Sequence, residues 1–387
     1  MTRLFLEDGR ETQVLGGAAG TDVLLARGRG TEGELAVTLA PPDPDAAATR
    51  EHVLLARQVG VLDLDFDGEG AIALAPLRLT GTRGDDDAAI SLDGLAAFRG
   101  QGTKVSLWTG AGDDAVRFVA VAGEADGAAG LSRGFIGAGR GADDVAFYIS
   151  NVGTDRGFAL TVSTGAGADT VSGKSFVARD ASDDAGAQAP SAPAPSVLRM
   201  NLGGGDDLAG TYFCDETRDA ADGAAAGDGP TSWLRLGAGD DMALVSQFSA
   251  GFGGVLKVRG GRGDDVMQVT VTDWDFLQEP AQRLPSVAGG RGADVFVLER
   301  GETSARIVDL TLGEDAIALA GGIAFGDLVF GQRGEDVAIF DADGALLALA
   351  GARGGLDADD LTRDHFVAHD AQAFAVPPEP ERALLEL

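Results

Sequence analysis

The stretch GGRGDDVMQV, residues 260 to 269, sets two adjacent carboxylates behind a glycine-rich turn and directly ahead of an alternating apolar run. Carboxylates and backbone carbonyls are hard oxygen donors. Glycine lets a carbonyl turn toward a ligand without a Cβ in the way. The combination points to calcium, which takes roughly six to eight oxygens at about 2.3–2.6 Å.

The same turn recurs along the chain. It reads TRGDDDAAI from Thr82, GAGDDAVRF from Gly110, GRGADDVAF from Gly139 and GAGADTVSG from Gly165. It continues as GGGDDLAGT from Gly203, GAGDDMALV from Gly237, GRGDDVMQV from Gly261 and GRGADVFVL from Gly290. The fifth position gives the anchor acids Asp86, Asp114, Asp143, Asp169, Asp207, Asp241, Asp265 and Asp294. Two residues earlier stand Gly84, Gly112, Gly141, Gly167, Gly205, Gly239, Gly263 and Gly292, whose carbonyls are candidate ligands. Asp113, Asp206, Asp240 and Asp264, just before their anchors, are weaker candidates, as is Asp22 in a degenerate copy.

The elements that must position these turns follow from the segments between them. Successive anchors lie 24 to 38 residues apart. After each acid comes an alternating run such as AVRFVAVA or VMQVTVTD, then a variable segment, then a second run such as LTVSTG or VLKVRG. Period-2 alternation bounded by Gly, Asp and Ser reads as strand. One unit is therefore strand, variable turn, strand, acidic turn. No unit buries its own apolar face, but stacked units do, and stacking places the acidic turns in a column about 4.8 Å apart. Bare aspartates at that spacing repel, and a cation between consecutive turns relieves them. The expected fold is all-β: a flattened parallel β-solenoid of two-sheet coils with calcium turns along one edge. The opposite edge carries the variable segments, with insertions at 41–51, 178–196 and 215–231. The expected organisation is N-terminal coils with degenerate turns over 1–80, calcium-binding repeats over 81–294 and a distinct C-terminal block over 295–387.

Composition narrows the function. The 387 residues carry a net charge of −31, and 45 of the 61 acids are Asp. Asp favours turns and ligation where Glu favours helices. That charge repels phosphates, so nucleic acid is not an expected partner. The single cysteine, Cys214, rules out a disulfide framework within the chain and reads as a packed core thiol. The start MTRLFLEDGRETQ has no apolar signal region, and no run is long and apolar enough to span a membrane.

Other patterns resolve to plainer readings. VLDLDFDGEG opens like an EF-hand loop at Asp63, Asp65, Asp67 and Gly68, but Leu74 stands where the bidentate Glu belongs, and a strand explains it better. The tripeptides Arg83-Gly84-Asp85 and Arg262-Gly263-Asp264 lie inside the repeat. His365 and His369 would share a face on a helix, yet the zincin glutamate is missing and they read as surface histidines. Only three lysines and two tyrosines are present, and no basic face stands out along the repeats.

GGRGDDVMQ at Gly260 and GGRGADVFV at Gly289 resemble the RTX family of bacterial calcium-binding proteins, whose repeat is GGxGxDxUx with U a large apolar residue. The segments FVLERGETSARIVDLTLGEDAIALAGG, FGDLVFGQRGEDVAIFDADGALLALAG and LDADDLTRDHF are similar to the terminal block of RTX exoproteins. The resemblance implies a parallel β-roll, export by type I secretion machinery that reads a C-terminal signal, and folding outside the cell when calcium binds. It departs from the family in having one acidic turn per coil rather than two. The leading expectation is a secreted structural or adhesive solenoid at the bacterial surface or in extracellular matrix, with surface polysaccharide or a second copy of itself as partner. Without an evident N-terminal cap, its edge strands invite self-association. The alternative is a lyase, epimerase or hydrolase acting on polysaccharide from a parallel β-helix.

Overall fold

Alternation becomes strand wherever the sequence predicts it. In Ala115–Ala122, AVRFVAVA, the residues Val116, Phe118 and Ala120 are buried while those between them are half-exposed. A strand places successive side chains on opposite faces, so one face packs and the other meets solvent. The glycine-aspartate corner then turns the chain into the next strand.

The computed structural model describes residues 77–96, 102–122, 130–151, 157–179, 196–217, 231–249, 255–272, 284–299 and 305–369. It also describes the backbone of earlier strands, from Arg3–Phe5 to Ile72–Leu74. The fold is a parallel β-solenoid of two sheets. The first sheet takes the strand before each acidic turn: Leu77–Thr80, Thr103–Ala111, Leu131–Arg140, Ala159–Ala166, Val197–Gly204, Thr231–Ala238, Val255–Arg262 and Ser286–Arg291. The second takes the strand after it, from Asp87–Ala96 to Ala316–Leu319. Each strand pairs in parallel with its equivalent one coil on, as Ala159–Ala166 does with Leu131–Arg140 and Val197–Gly204.

Register keeps like with like. Val116, Val145, Val171, Ala209, Ala243, Met267, Phe296 and Ile317 form one continuous interior column. Gly173 interrupts the aliphatic rows where a Cβ would overlap the Phe147 ring. Cys214 is buried in Leu208–Thr217 with Phe176 and Phe248 as register partners, as a core thiol should be.

The C-terminal end changes topology. Leu346–Gly351 pairs in parallel with Arg306–Ile307, but it is also the third strand of an antiparallel meander with Val329–Arg333 and Asp336–Phe340. Phe366–Ala368 closes the second sheet against Ala316–Leu319. At the other end, Arg3–Phe5, Glu11–Gly16 and Thr21–Arg27 pair antiparallel before parallel stacking begins at Arg50–Arg57. The N-terminal edge is thus a three-stranded antiparallel meander rather than bare coils. One local candidate changes accordingly, and the plainer reading of the histidines stands. Asp22 lies within Thr21–Arg27, opposite His52, and not at a corner. His365 ends the 3-10 turn Arg363–His365, and the extended strand Phe366–Ala368 separates it from His369, so no helical face unites them. Asp63 and Asp65 fall in the strand Val61–Phe66, as the plainer reading has it.

Candidate metal centre

The acidic corners superimpose into one column. Their two glycines have φ between +106° and +141° from Gly110 to Gly292, a region closed to most L-residues. Stacking makes glycine doubly necessary. A Cβ on Gly141 would overlap the carbonyl of Gly112, one on Gly167 that of Gly141, and one on Gly205 that of Gly167. The carbonyls of one corner therefore project onto the next, where the sequence places candidate ligands.

The anchor carboxylates have a partner that the sequence does not reveal. The backbone N–H of each anchor donates to Oδ1 of the anchor one coil on: Asp86 to Asp114 at 2.8 Å, Asp114 to Asp143 at 2.9 Å, Asp143 to Asp169 at 2.9 Å. The ladder runs on through Asp207, Asp241, Asp265 and Asp294 at 2.8–3.0 Å. It ends where Asp294 donates to Asp315 at 3.0 Å. Each anchor's carbonyl is engaged too, as in Asp144 N–H to Asp114 O at 2.8 Å. Main-chain amides thus hold the corners and keep the carboxylates from facing one another bare, a role the sequence had left to a cation alone.

The second carboxylate oxygen is where the anchors differ. Oδ2 of Asp114, Asp143, Asp169, Asp207, Asp241 and Asp265 is buried with no hydrogen-bond partner. An unpartnered buried polar atom is costly, and more so when charged. At the two ends the oxygen is satisfied within its own turn. Asp86 accepts Thr82 N–H on Oδ2 at 2.7 Å and binds Thr82 Oγ1 through Oδ1 at 2.7 Å. Asp315 accepts Thr311 N–H on Oδ2 at 2.7 Å. Asp86 and Gly84 therefore differ from the other expected ligands: Gly84 lacks the positive φ of its counterparts, and its carbonyl accepts Thr82 Oγ1. Asp315 is a further corner among the described residues that sequence reading misses: TLGED keeps Gly313 and matches the TRGDD of the Asp86 corner, but Leu and Glu stand where the other corners have Arg, Ala or Gly and then Asp or Ala.

Burial shifts the titration of these groups. Desolvation is the largest cause, the amide bonds oppose it and neighbouring carboxylates reinforce it. Asp143 and Asp241 rise to about 6, and Asp207, Asp265 and Asp294 to about 7. Asp86 and Asp114 are raised as well.

The acids just before the anchors form a second, exposed ladder running the other way. Asp113 N–H donates to Asp85 Oδ1, Asp240 N–H to Asp206 and Asp264 N–H to Asp240, each at 2.9 Å. Ala142 N–H and Ala293 N–H still donate to Asp113 and Asp264 at 2.9 and 2.8 Å, but Ala142, Ala168 and Ala293 offer no carboxylate to the next corner, so the ladder stops after them.

The donors at the six inner anchors are oxygens, an unpartnered carboxylate atom in each, with glycine carbonyls projecting from corner to corner along the same column, and that chemistry suits a hard cation. Among the described residues no group of three His, Cys, Asp or Glu side chains converges, so backbone oxygens would complete any shell. The structure also corrects the reading that no basic face exists: the outward positions of the first sheet gather Arg and Lys side chains that sequence spacing scatters. No family model, curated protein or solved structure matches the chain.

Proposed function

We propose that the chain is a secreted, calcium-dependent β-solenoid with a structural or adhesive role outside the bacterial cell. The single observation that carries this reading is the row of six buried anchor oxygens without a partner. Asp114, Asp143, Asp169, Asp207, Asp241 and Asp265 would hold the ions, with the carbonyls of Gly112, Gly141, Gly167, Gly205, Gly239 and Gly263 beside them. Bound calcium would supply positive charge in place of the protons that burial otherwise favours on Asp114, Asp143, Asp207, Asp241 and Asp265. The chain's own part is to stack the corners so that one fold presents all the donors together. Without a cation the −31 chain repels itself and holds its fold only weakly, and a weakly folded chain suits export. The resemblance of the corners and terminal block to RTX exoproteins supports the type I route.

Equilibrium dialysis with calcium, followed by circular dichroism, tests this. The expected result is several ions per chain and a steep, cooperative gain of β signal at millimolar calcium, within the range of about 10⁻⁴–10⁻³ M for extracellular modules. Absence of bound calcium, or a β signal and melting temperature indifferent to chelator at pH 8, defeats the proposal.

A further inference from the structure

The outward face of the first sheet reverses the sign of the molecule. Inter-strand register places Arg199, Trp233 and Lys257 in one column and Asn201, Arg235 and Arg259 in the next. Arg199 and Lys257 flank the Trp233 ring, at 5.3 Å and 6.0 Å from its centroid, and the ring keeps both cations over the face. Arg235 and Arg259 are direct register neighbours. Four coils toward the N-terminus, Lys104 and Arg133 are direct neighbours as well. Among the described residues, no Asp or Glu occupies an outward position of this sheet from Arg78 to Arg259. Among those residues Arg199, Arg235 and Lys257 have no contact ion pair, and Arg259 makes none either, although its charge reaches Asp309. Like charges on neighbouring strands are destabilising. A chain with 61 acids and 30 bases has acids to spare for interleaving, yet places none here.

The face also carries a flat apolar platform. Trp108 is 49% exposed and stacks on Phe135 with 5.8 Å between centroids and 5° between planes. Gly137, opposite Trp108 in register, leaves room for both rings, since a Cβ there would press into them. Trp108 and Trp233 lie four strands apart, about 19 Å at the usual strand spacing.

We infer that this sheet face binds an extended acidic polysaccharide, a polyuronate chain lying across the strands along the solenoid axis. The Trp108–Phe135 platform meets the C–H face of a sugar ring, and the arginine–lysine columns pair with carboxylates. One carboxylate per sugar suits cations set at strand intervals. A nucleic-acid duplex carries a charge per about 1.7 Å of its axis and would suffer more from the acidic edge beside this face. The inference rests on the solenoid fold and not on the calcium reading.

Calorimetric titration of the full chain with a galacturonate oligomer tests it, in calcium, after circular dichroism has shown the fold intact. Binding should weaken as sodium chloride rises and should vanish for the methyl-esterified oligomer. Trp108→Ala, the double variant Arg235→Ala/Arg259→Ala, and Lys257→Glu should each weaken binding at least tenfold. Arg117→Ala, on the other sheet, should leave it unchanged. Three results each overturn the inference: no binding by the native chain, face variants that bind like the native chain (which would place the glycan on the acidic edge through bridging calcium), or tighter binding of single-stranded DNA of equal length.

Discussion

At the scale of single residues, the corner glycines and anchor acids make opposite demands. Gly141 and Gly344 both have positive φ, at 125° and 84°, but a Cβ on Gly141 would overlap Gly112 while nothing lies within 4 Å of one on Gly344. Gly344→Ala should cost about 1–2 kcal/mol for its left-handed backbone alone. Gly141→Ala should cost clearly more, since the neighbouring corner must also shift; denaturant titration of the two variants reads the difference. Asp241→Asn carries a change of sign. Asn keeps an oxygen for the N–H of Asp207 and places a neutral group where the unpartnered oxygen sits. In chelator at pH 8 this variant should melt higher than the native chain, and with calcium it should gain less. A lower melting temperature in chelator would show that the buried carboxylate is not under electrostatic strain. The anchors from Asp114 to Asp294 were legible because glycines and acid repeat at fixed spacing. Asp315 was not, although TLGED has the form of the TRGDD at Asp86, because it sits inside the divergent C-terminal block with Leu312 and Glu314 at positions that are small, basic or aspartate elsewhere.

At the scale of the element, the carboxyls of Asp143, Asp207, Asp241, Asp265 and Asp294 are each raised by burial and further by neighbouring carboxylates of the corners. The folded-state pKa of Asp207, Asp265 and Asp294 is about 7 and that of Asp143 and Asp241 about 6, above the ordinary 3.8. A raised carboxyl stabilises the fold fully below its unfolded value and loses that contribution as pH rises through the folded one. Without metal, the melting temperature should therefore fall between about pH 4 and pH 8. Calcium binds the ionised form, so the stabilisation it adds should grow over the same window. Melting curves in chelator and in calcium, taken at several pH values, read both trends. A chelator-state melting temperature that climbs from pH 5 to pH 8 would contradict the burial of these groups as carboxylic acids. Strand and turn order were legible from period-2 runs between glycine corners. The hydrogen-bond partner of each carboxylate was not, because it is a main-chain amide 24 to 38 residues away.

At the scale of the molecule, the solenoid must end without offering strands to other copies. Leu346–Gly351 covers one sheet at Arg306–Ile307, and Phe366–Ala368 covers the other at Ala316–Leu319. Phe325, Phe330 and Phe366 pack together beside this end, with centroids 5.1–5.8 Å apart. A chain ending at Leu319 exposes both pairing edges and should associate at micromolar concentration, seen as a rise in light scattering that the full chain lacks. A chain of that length that stays monomeric would show that the terminal meander protects nothing.

The sequence by itself determined the repeat, the two-strand coil and the acid at each corner, because these are local: alternation, glycine and aspartate act within a few residues. It also held the asymmetry of one acidic corner per coil. Only the tertiary structure decided what lies beside what between coils. Arg199, Trp233 and Lys257 are 34 and 24 residues apart, and connections of unequal length hide their alignment until parallel pairing brings them into one column. The same stacking buries one oxygen of each inner anchor and satisfies the other. Side-chain adjacency across a solenoid is set by register, and register is a property of the assembled coils rather than of any one of them.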